Sequence, residues 1–401
     1  MSAADRWLLP EGVEEILPDE AFVLESLRRE TLDLFAGWGY QLVMTPLVEF
    51  LDSLLVGKSH DLDLHTFKVT DQMSGRMMGI RADITPQVAR IDAHCLNRAG
   101  VVRLCYADSV LHTKPRGLLT SRVPFRVGAE LFGHTGTEAD VELICLMLDT
   151  LRHADIRDVH LVLGHVGIFR SLVAAAGLDE KTETVLFDLV QRKAYAEIDA
   201  MLQEVVSDDT LREKLCELTR LSGDREILAR ALEVFDDAPE SVRRELAELE
   251  AIAARVGGQN EDVVLCFDLC ELRGYEYHTG IVFAAYTPDS GRAVAKGGRY
   301  NDIGEVFGRA RPASGFDCDL KTLAKLTQRE FIRPSGILAP AVDDAGLAKL
   351  VADLRSKGEI VISDLDAGAL SPDEAAALGC DRFLGKTGDT WEIKRFNQDV
   401  S

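Results

Sequence analysis

The chain has 401 residues, 67 acidic against 45 basic, for a formal charge of −22 at pH 7. Neutralisation of phosphates supplies most non-specific affinity for nucleic acid, so this balance argues against a protein that grips RNA unless basic residues are concentrated locally. Hydrophobic residues make up 46% of the chain, but apolar runs such as residues 143–148 are far too short to cross a bilayer, and residues 1–6 lead into acidic sequence rather than an apolar signal-peptide core. A cytoplasmic globular protein of two or three domains, without membrane association, is expected.

The eight cysteines (95, 105, 145, 216, 266, 270, 318 and 380) include no C-x-x-C pair. Buried reduced thiols are the expectation, and no metal site is foreseen.

In chain order, residues 19–37 read as an amphipathic helix, with Phe22, Leu24, Leu27, Leu32, Leu34 and Phe35 at helical spacing and glycine at 37 and 39. Residues 40–44 read as a strand that ends before Pro46. A second unit starts at residues 79–83, continues as a helix over 86–97 with Pro86 suited to its first turn, and returns as strands at 101–106 and 125–132. Residues 167–258 are charged and helical in texture, with 212–232 and 239–255 the clearest periodic stretches, and read as an inserted helical domain. Strands resume at 263–269 and 281–286, and Gly297-Gly298 reads as a turn. Beyond Pro334 a small α/β tail alternates strand 336–339, helix 345–357, strand 359–363, helix 372–378, and strands at 382–384 and 391–393. The expected organisation is a core of residues 1–166 and 259–330, the insertion at 167–258, and a tail at 334–401.

Five stretches then converge on one family. Gly39-Tyr40-Gln41-Leu42-Val43-Met44-Thr45-Pro46 resembles the dimer-forming motif 1 of class II aminoacyl-tRNA synthetases. Ile80-Arg81-Ala82-Asp83-Ile84-Thr85 with the trailing Arg90 resembles the L-R-P-E-x-T segment of histidyl-tRNA synthetases. Val127-Gly128-Ala129-Glu130-Leu131-Phe132-Gly133 resembles their x-G-x-E-x-F-G strand. The run from Leu272-Arg273-Gly274-Tyr275 through Tyr277-His278-Thr279-Gly280 to Phe283 is similar to R-G-L-D-Y-Y-T-G-x-V-F, and Gly297-Gly298-Arg299-Tyr300-Asn301 to G-G-R-Y-D. The resemblance spans roughly residues 10–325 and implies an α+β fold: a class II synthetase-like core, an antiparallel sheet flanked by helices. The tail resembles a reduced anticodon-binding domain.

The departures shape the functional expectation. The resemblance places His112 and Lys114 where motif 2 carries its arginine and its adenine-contacting glutamate. Thr322 stands at the motif 3 arginine, with Asp317 and Asp319 at small-residue positions beside the triphosphate. Removing one donor that stabilises developing charge typically costs about 10²–10³ in rate, and here at least two are replaced. Adenylation is expected to be lost, with no catalytic residues and no cofactor.

The amino-acid pocket is treated differently. The resemblance assigns Glu130 to an imidazole, Asp83 and Thr85 to an α-amino group, and Arg273 to a carboxylate, with Tyr277 alongside. Arg126 replaces a glutamine near the amino end, where its charge would repel an ammonium unless Asp83 or Glu130 neutralises it. His278 replaces a tyrosine at the imidazole end. Each position also has a plain structural reading: Arg273 as an ion-pair partner within the fold, Tyr277 as core. The resemblance points to the synthetase-like regulatory subunits of ATP phosphoribosyltransferase. These form a homodimer core within a hetero-oligomer, activate the short-form catalytic subunit in the first step of histidine biosynthesis, and allow feedback inhibition by L-histidine; no tRNA partner is expected. Two other readings stand beside it: a working histidyl-tRNA synthetase, and a stand-alone histidine-binding or RNA-associated sensor.

Overall fold

The computed structural model describes residues 7–55, 60–115, 117, 120–272, 274–275, 277–365 and 372–396. They fall into two compact units that divide between Arg329 and Glu330.

The first unit opens with α1 (Pro18–Gly37), which has Pro18 and two acidic residues in its first turn, as a helix N-terminus favours. Leu27, Thr31 and Phe35, spaced by four, form its buried stripe. Then follow β1 (Gln41–Leu42), β2 (Val48–Phe50), the short helices α2 (Leu51–Leu54) and α3 (His60–His65), β3 (Phe67–Thr70) and β4 (Met77–Ile80). The expected helix over 86–97 is α4 (Thr85–Arg90) continued by a π-helical turn, Ile91–Leu96. Cys95 lies on the exposed side of that turn, so not every cysteine is in the core; 105, 145, 318 and 380 are buried and the remaining three half-buried.

Next come β5 (Val102–Ser109), β6 (Phe125–Phe132), α5 (Thr137–His153) and β7 (His160–His165). A helical stretch succeeds them: α6 (Val166–Ala175), α7 (Glu180–Gln191), α8 (Tyr195–Val205), α9 (Asp209–Leu218), the two-residue β8 (Ser222–Gly223), α10 (Glu226–Val234) and α11 (Glu240–Gln259). The periodic run at 212–232 is therefore two helices, not one. Between the two helices Ser222 and Gly223 run extended and pair with Asp268 and Phe267 at the edge of the sheet, a break that hydrophobic spacing does not encode. The unit closes with β9 (Val264–Asp268), β10 (Ile281–Tyr286), β11 (Ala295–Arg299), β12 (Ala313–Asp319) and α12 (Leu320–Leu326).

Among the described residues these strands build a nine-stranded sheet in the order β1-β5-β6-β12-β11-β10-β7-β9-β8 and a smaller sheet, β2-β4-β3. The run from β5 to β7 is antiparallel throughout, and β1–β5 and β7–β9 are the parallel pairs. β6 is buried at six consecutive residues, from Val127 to Phe132, because both of its faces are covered. Phe35 of α1 meets Phe316 of β12 edge-on at 5.9 Å. Asp140 of α5 receives the Arg299 guanidinium at 2.6 Å and the Ser314 hydroxyl at 2.6 Å, which locks the helix to β11 and β12.

Gly297-Gly298 is not a turn but the middle of β11. A Cβ at Gly297 would lie 2.2 Å from the Gly315 carbonyl, and one at Gly298 would lie 2.7 Å from the His278 ring. Glycine is needed for close approach inside a strand rather than for chain reversal.

The second unit is a four-stranded sheet, β14-β13-β15-β16, from β13 (Gly336–Pro340), β14 (Val361–Asp364), β15 (Cys380–Thr387) and β16 (Thr390–Arg395). Its helices are α13 (Ala345–Ser356) and α14 (Pro372–Ala377). Alternation along β13 sends Ile337 and Ala339 toward Leu347 and Leu354, and Leu338 toward Ala375 and Cys380. No helix among the described residues is long and apolar enough to cross a membrane.

Candidate functional site

The sheet carries two neighbouring cavities. The first, of about 160 Å³, is lined by Asp83, Thr85, Glu130, Glu271, Gly274, Tyr277, His278, Lys296, Tyr300 and Asp317, among others. The second, of about 630 Å³, is lined by Glu14, His112, Arg126, Arg292, Lys296, Asp317, Asp319, Lys321, Thr322 and Lys325, among others. Lys296 and Asp317 face both. They are cross-strand partners of β11 and β12, so register alone puts them side by side.

Glu130 is the hub of the first cavity. Alternation on β6 turns it inward, and Gly315 on β12 is its cross-strand partner; a Cβ at Gly315 would overlap the carboxylate. One carboxylate oxygen accepts from the Thr85 hydroxyl at 2.8 Å and the Tyr106 hydroxyl at 3.4 Å, and the other from the Tyr300 hydroxyl. Burial pushes the Glu130 carboxyl up to about 8, against the pull of the Tyr300 and Thr85 hydrogen bonds and with the help of Asp83 and Asp317. Asp83 accepts from the Thr85 backbone N–H at 3.0 Å, which fixes the start of α4.

His278 is buried, stacked obliquely on Tyr277 at 4.2 Å, and its Nδ1 lies 3.3 Å from the Arg299 carbonyl. Burial, with repulsion from Lys296 and Arg170, holds its pKa near 4, so the ring is neutral at physiological pH. Tyr277 is half-exposed and meets Tyr300 edge-on at 6.3 Å. The structure thus brings Asp83, Thr85, Glu130, Tyr277 and His278 to one cavity. Arg273 lies outside the described residues.

Arg126 belongs to the second cavity, and its partner is neither Asp83 nor Glu130 but Asp317, at 3.2 Å. Burial works against its charge, but Asp317, Asp319 and Asp83 outweigh it and raise the pKa further. A second pair on its wall joins Lys321 to Glu14 at 3.1 Å, and the neutral Thr322 hydroxyl donates to Asp319 at 3.1 Å. His112 is buried with Nε2 donating to the Ala82 carbonyl at 3.0 Å, whereas Lys114 is exposed.

Sequence reading missed Tyr106 and Lys296, which no motif marks. It quoted Tyr300 only as part of a motif, without the role of holding Glu130. Arg81, quoted in the same way, is wholly buried; it donates to the Thr45 carbonyl and hydroxyl, both at 2.8 Å, and to the Ser109 carbonyl, and so ties motif 1 to β5. Among the described residues no cluster of three or more His, Cys, Asp or Glu side chains could hold a metal ion.

With this geometry in view, similarity to known proteins is informative. Residues 12–323 match the family model for histidyl-tRNA synthetase, and residues 334–394 match the model for the ATP phosphoribosyltransferase subunit HisZ C-terminal domain. The chain is 54% identical over 387 residues to an ATP phosphoribosyltransferase regulatory subunit of Thioalkalivibrio sulfidiphilus, covering 96% of this chain and 97% of that one. A protein of the same name from Stutzerimonas stutzeri is 53% identical, over 98% of this chain and 99% of that one. Among solved structures, an ATP phosphoribosyltransferase regulatory subunit/histidyl-tRNA synthetase from Bacillus halodurans C matches with a TM-score of 0.80 at 25% identity, over 92% of this chain and 96% of that one. Histidyl-tRNA synthetase from Nostoc sp. PCC 7120 shares the fold, with a TM-score of 0.76 at 18% identity over 97% and 94% of the two chains.

Proposed function

The chain belongs to the ATP phosphoribosyltransferase regulatory subunits, and from that premise we propose that it activates a short-form catalytic subunit in the first step of histidine biosynthesis and makes that subunit answerable to inhibition by L-histidine. The observation that carries this reading is the contrast between the two cavities. Around Glu130 the first cavity is compact and hydrogen-bonded, with tyrosine and threonine hydroxyls fixing the carboxyl group and a neutral His278 in the same lining, which supports an amino-acid site there. In the second cavity His112 and Thr322, which the resemblance sets at the positions of the class-defining arginines, line the wall together with Asp317 and Asp319.

Phosphate recognition depends on cations aimed at the charge, and cations already paired with carboxylates serve it poorly. The chain is accordingly non-catalytic in this reading: it forms no histidyl-adenylate and charges no tRNA. Histidine is placed with its imidazole toward Glu130 and its carboxylate toward Arg273. Residues 167–258 are read as an inserted helical domain on the synthetase-like core. A second copy is assigned to the edge at β1, where Leu42, Met44, Leu47 and Val48 are exposed, Met44 by 82%. An unpaired edge strand with apolar neighbours is suited to closed two-fold assembly.

The test is to mix the purified chain with a short-form catalytic subunit, with and without histidine, and to measure mass and transferase activity. A complex that forms, is more active than the catalytic subunit alone and is inhibited by histidine supports the reading. Failure to associate sinks it, as does histidine-dependent ATP–pyrophosphate exchange above background by the chain alone.

A further inference from the structure

The loop between β9 and β10 supplies Glu271, Gly274, Tyr277 and His278 to the first cavity, yet its firmest grip lies on the opposite side. Gly274, at φ +68°, folds the loop sharply: its carbonyl accepts from the backbone N–H groups of Tyr277 at 3.0 Å and His278 at 2.8 Å, and a Cβ there would strike the His278 ring at 2.6 Å. Within three residues of one another, Tyr275 therefore points away from the cavity while Tyr277 and His278 point into it.

Tyr275 is buried against the helical stretch. Its ring stacks on Phe187 of α7 at 5.1 Å and 26°, meets Phe169 of α6 edge-on at 5.5 Å, and lies under the Arg170 guanidinium at 4.5 Å. Its hydroxyl donates to Glu183 of α7, and its carbonyl accepts from Arg170. The start of the loop is held from the same helix. Lys193, two residues past the end of α7, reaches Asp268 at 3.1 Å, and the Asp268 carboxylate also accepts from the Cys270 backbone N–H at 3.0 Å. α7 and the turn that follows it thus clamp the cavity loop at two points, through Lys193 at its base and through Glu183 and Phe187 at its tip.

We propose that α7 is the element that reports occupancy of the first cavity, with Tyr275 and Asp268 as its contacts to the cavity loop. A ligand that settles against Tyr277 and His278 shifts or stiffens a turn too tight to move piecemeal. Because Tyr275 belongs to that turn, the change reaches α7 through aromatic packing and two polar ties. α7 lines neither cavity, so any response it makes to ligand passes through the loop. Tyr275 is a positioning residue here: it touches the helix, not the ligand. The inference rests on the reading of the first cavity as a histidine site.

Hydrogen exchange of the full-length chain, alone and bound to the catalytic subunit, with L-histidine as the probe, separates the two ideas. Histidine is expected to slow exchange in residues 269–280 and also in α7, the latter by about fivefold or more, the lower end of typical coupling between sites. In the Glu183→Leu/Phe187→Ala/Lys193→Met variant, altered only on the helix side and lacking both polar ties and the stacked ring, protection of the loop persists and protection of α7 disappears. Glu183→Gln, which still accepts from the Tyr275 hydroxyl, retains both. Tyr275→Phe, which keeps the packing and loses the hydroxyl, shows intermediate protection of α7. Loop protection without any change in α7 in the unmodified chain overturns the reporting role and leaves the histidine site standing, as does α7 protection that survives the triple variant. No protection of the loop overturns the histidine site itself and the reporting role with it.

Discussion

The two cavities share Lys296 and Asp317 but are built by opposite means. The first concentrates hydroxyl donors on one deeply buried carboxylate, whose ionisation burial resists. The second is several times larger and spends its charges on internal pairs, Arg126 with Asp317 and Lys321 with Glu14. A buried, oriented hydrogen-bond network discriminates among ligands because a wrong ligand leaves its groups unpaired. Within one sheet, then, one site is organised around a single buried carboxyl and its neighbour around ion pairs on its walls.

The strongest way to break this contrast is at the back wall of the first cavity. The Arg299 carbonyl lies beside His278 while its guanidinium is buried on Asp140. Arg299→Ala strands a buried carboxylate and is expected to cost about 3–5 kcal/mol of stability by urea unfolding. A loss within about 0.5 kcal/mol, typical of surface substitutions, would show that the wall is not integral to the core.

Next in size is ligand recognition. Arg273→Ala removes a charge-assisted bond to histidine in the proposed pose, and Glu130→Gln removes the carboxyl group assigned to the imidazole. Each should weaken histidine inhibition, and histidine affinity by calorimetry, by about tenfold, or 1.4 kcal/mol. Wild-type sensitivity in both variants would place the effector elsewhere.

The pH dependence of stability sharpens the same point. A carboxyl whose folded pKa is raised from 4.5 to about 8 keeps its proton longer in the folded state, so its contribution falls as pH rises through that interval. His278, lowered from 6.5 to about 4, works in the opposite sense, since stability is lost as pH falls through its interval. The two oppose each other where the intervals overlap, below about pH 6.5. Between about pH 6.5 and 8 Glu130 acts without that opposition, and the stability of the unmodified chain should decline there relative to Glu130→Gln. Parallel curves across that range would show that Glu130 is ionised in the folded state.

The smallest effect is expected in the second cavity. Lys321→Met removes a pair whose partner, Glu14, is substantially exposed; the loss should be about 1 kcal/mol or less, with histidine affinity unchanged. A large loss of histidine affinity would mean that the cavities act as one site.

The fold class was legible from the five motifs in their order, whereas the lining of the first cavity was legible only in part: Asp83, Thr85, Glu130, Tyr277 and His278 line it, Arg126 belongs to the second cavity, and Glu271 and Lys296 stood in no predicted pocket. Short-range patterns announced most elements to within a few residues: α1 from apolar residues at helical spacing, the strands at β6 and β10, and the tail from its alternation. The departures at His112 and Thr322 were equally plain, since they are matters of residue identity. Pairings across strands were not legible. That Arg126 faces Asp317, that Tyr106 and Tyr300 converge on Glu130, and that Gly297-Gly298 sits inside β11 all depend on the register of strands far apart in sequence. Tyr275 shows the same limit most sharply, because it lies inside a recognised motif yet faces away from the cavity that the motif builds. The sequence by itself determined which side chains were available and the local geometry of single elements. Only the tertiary structure decided which of them meet, because register, close backbone approach and the direction of a loop side chain are set by packing between segments that no local pattern links.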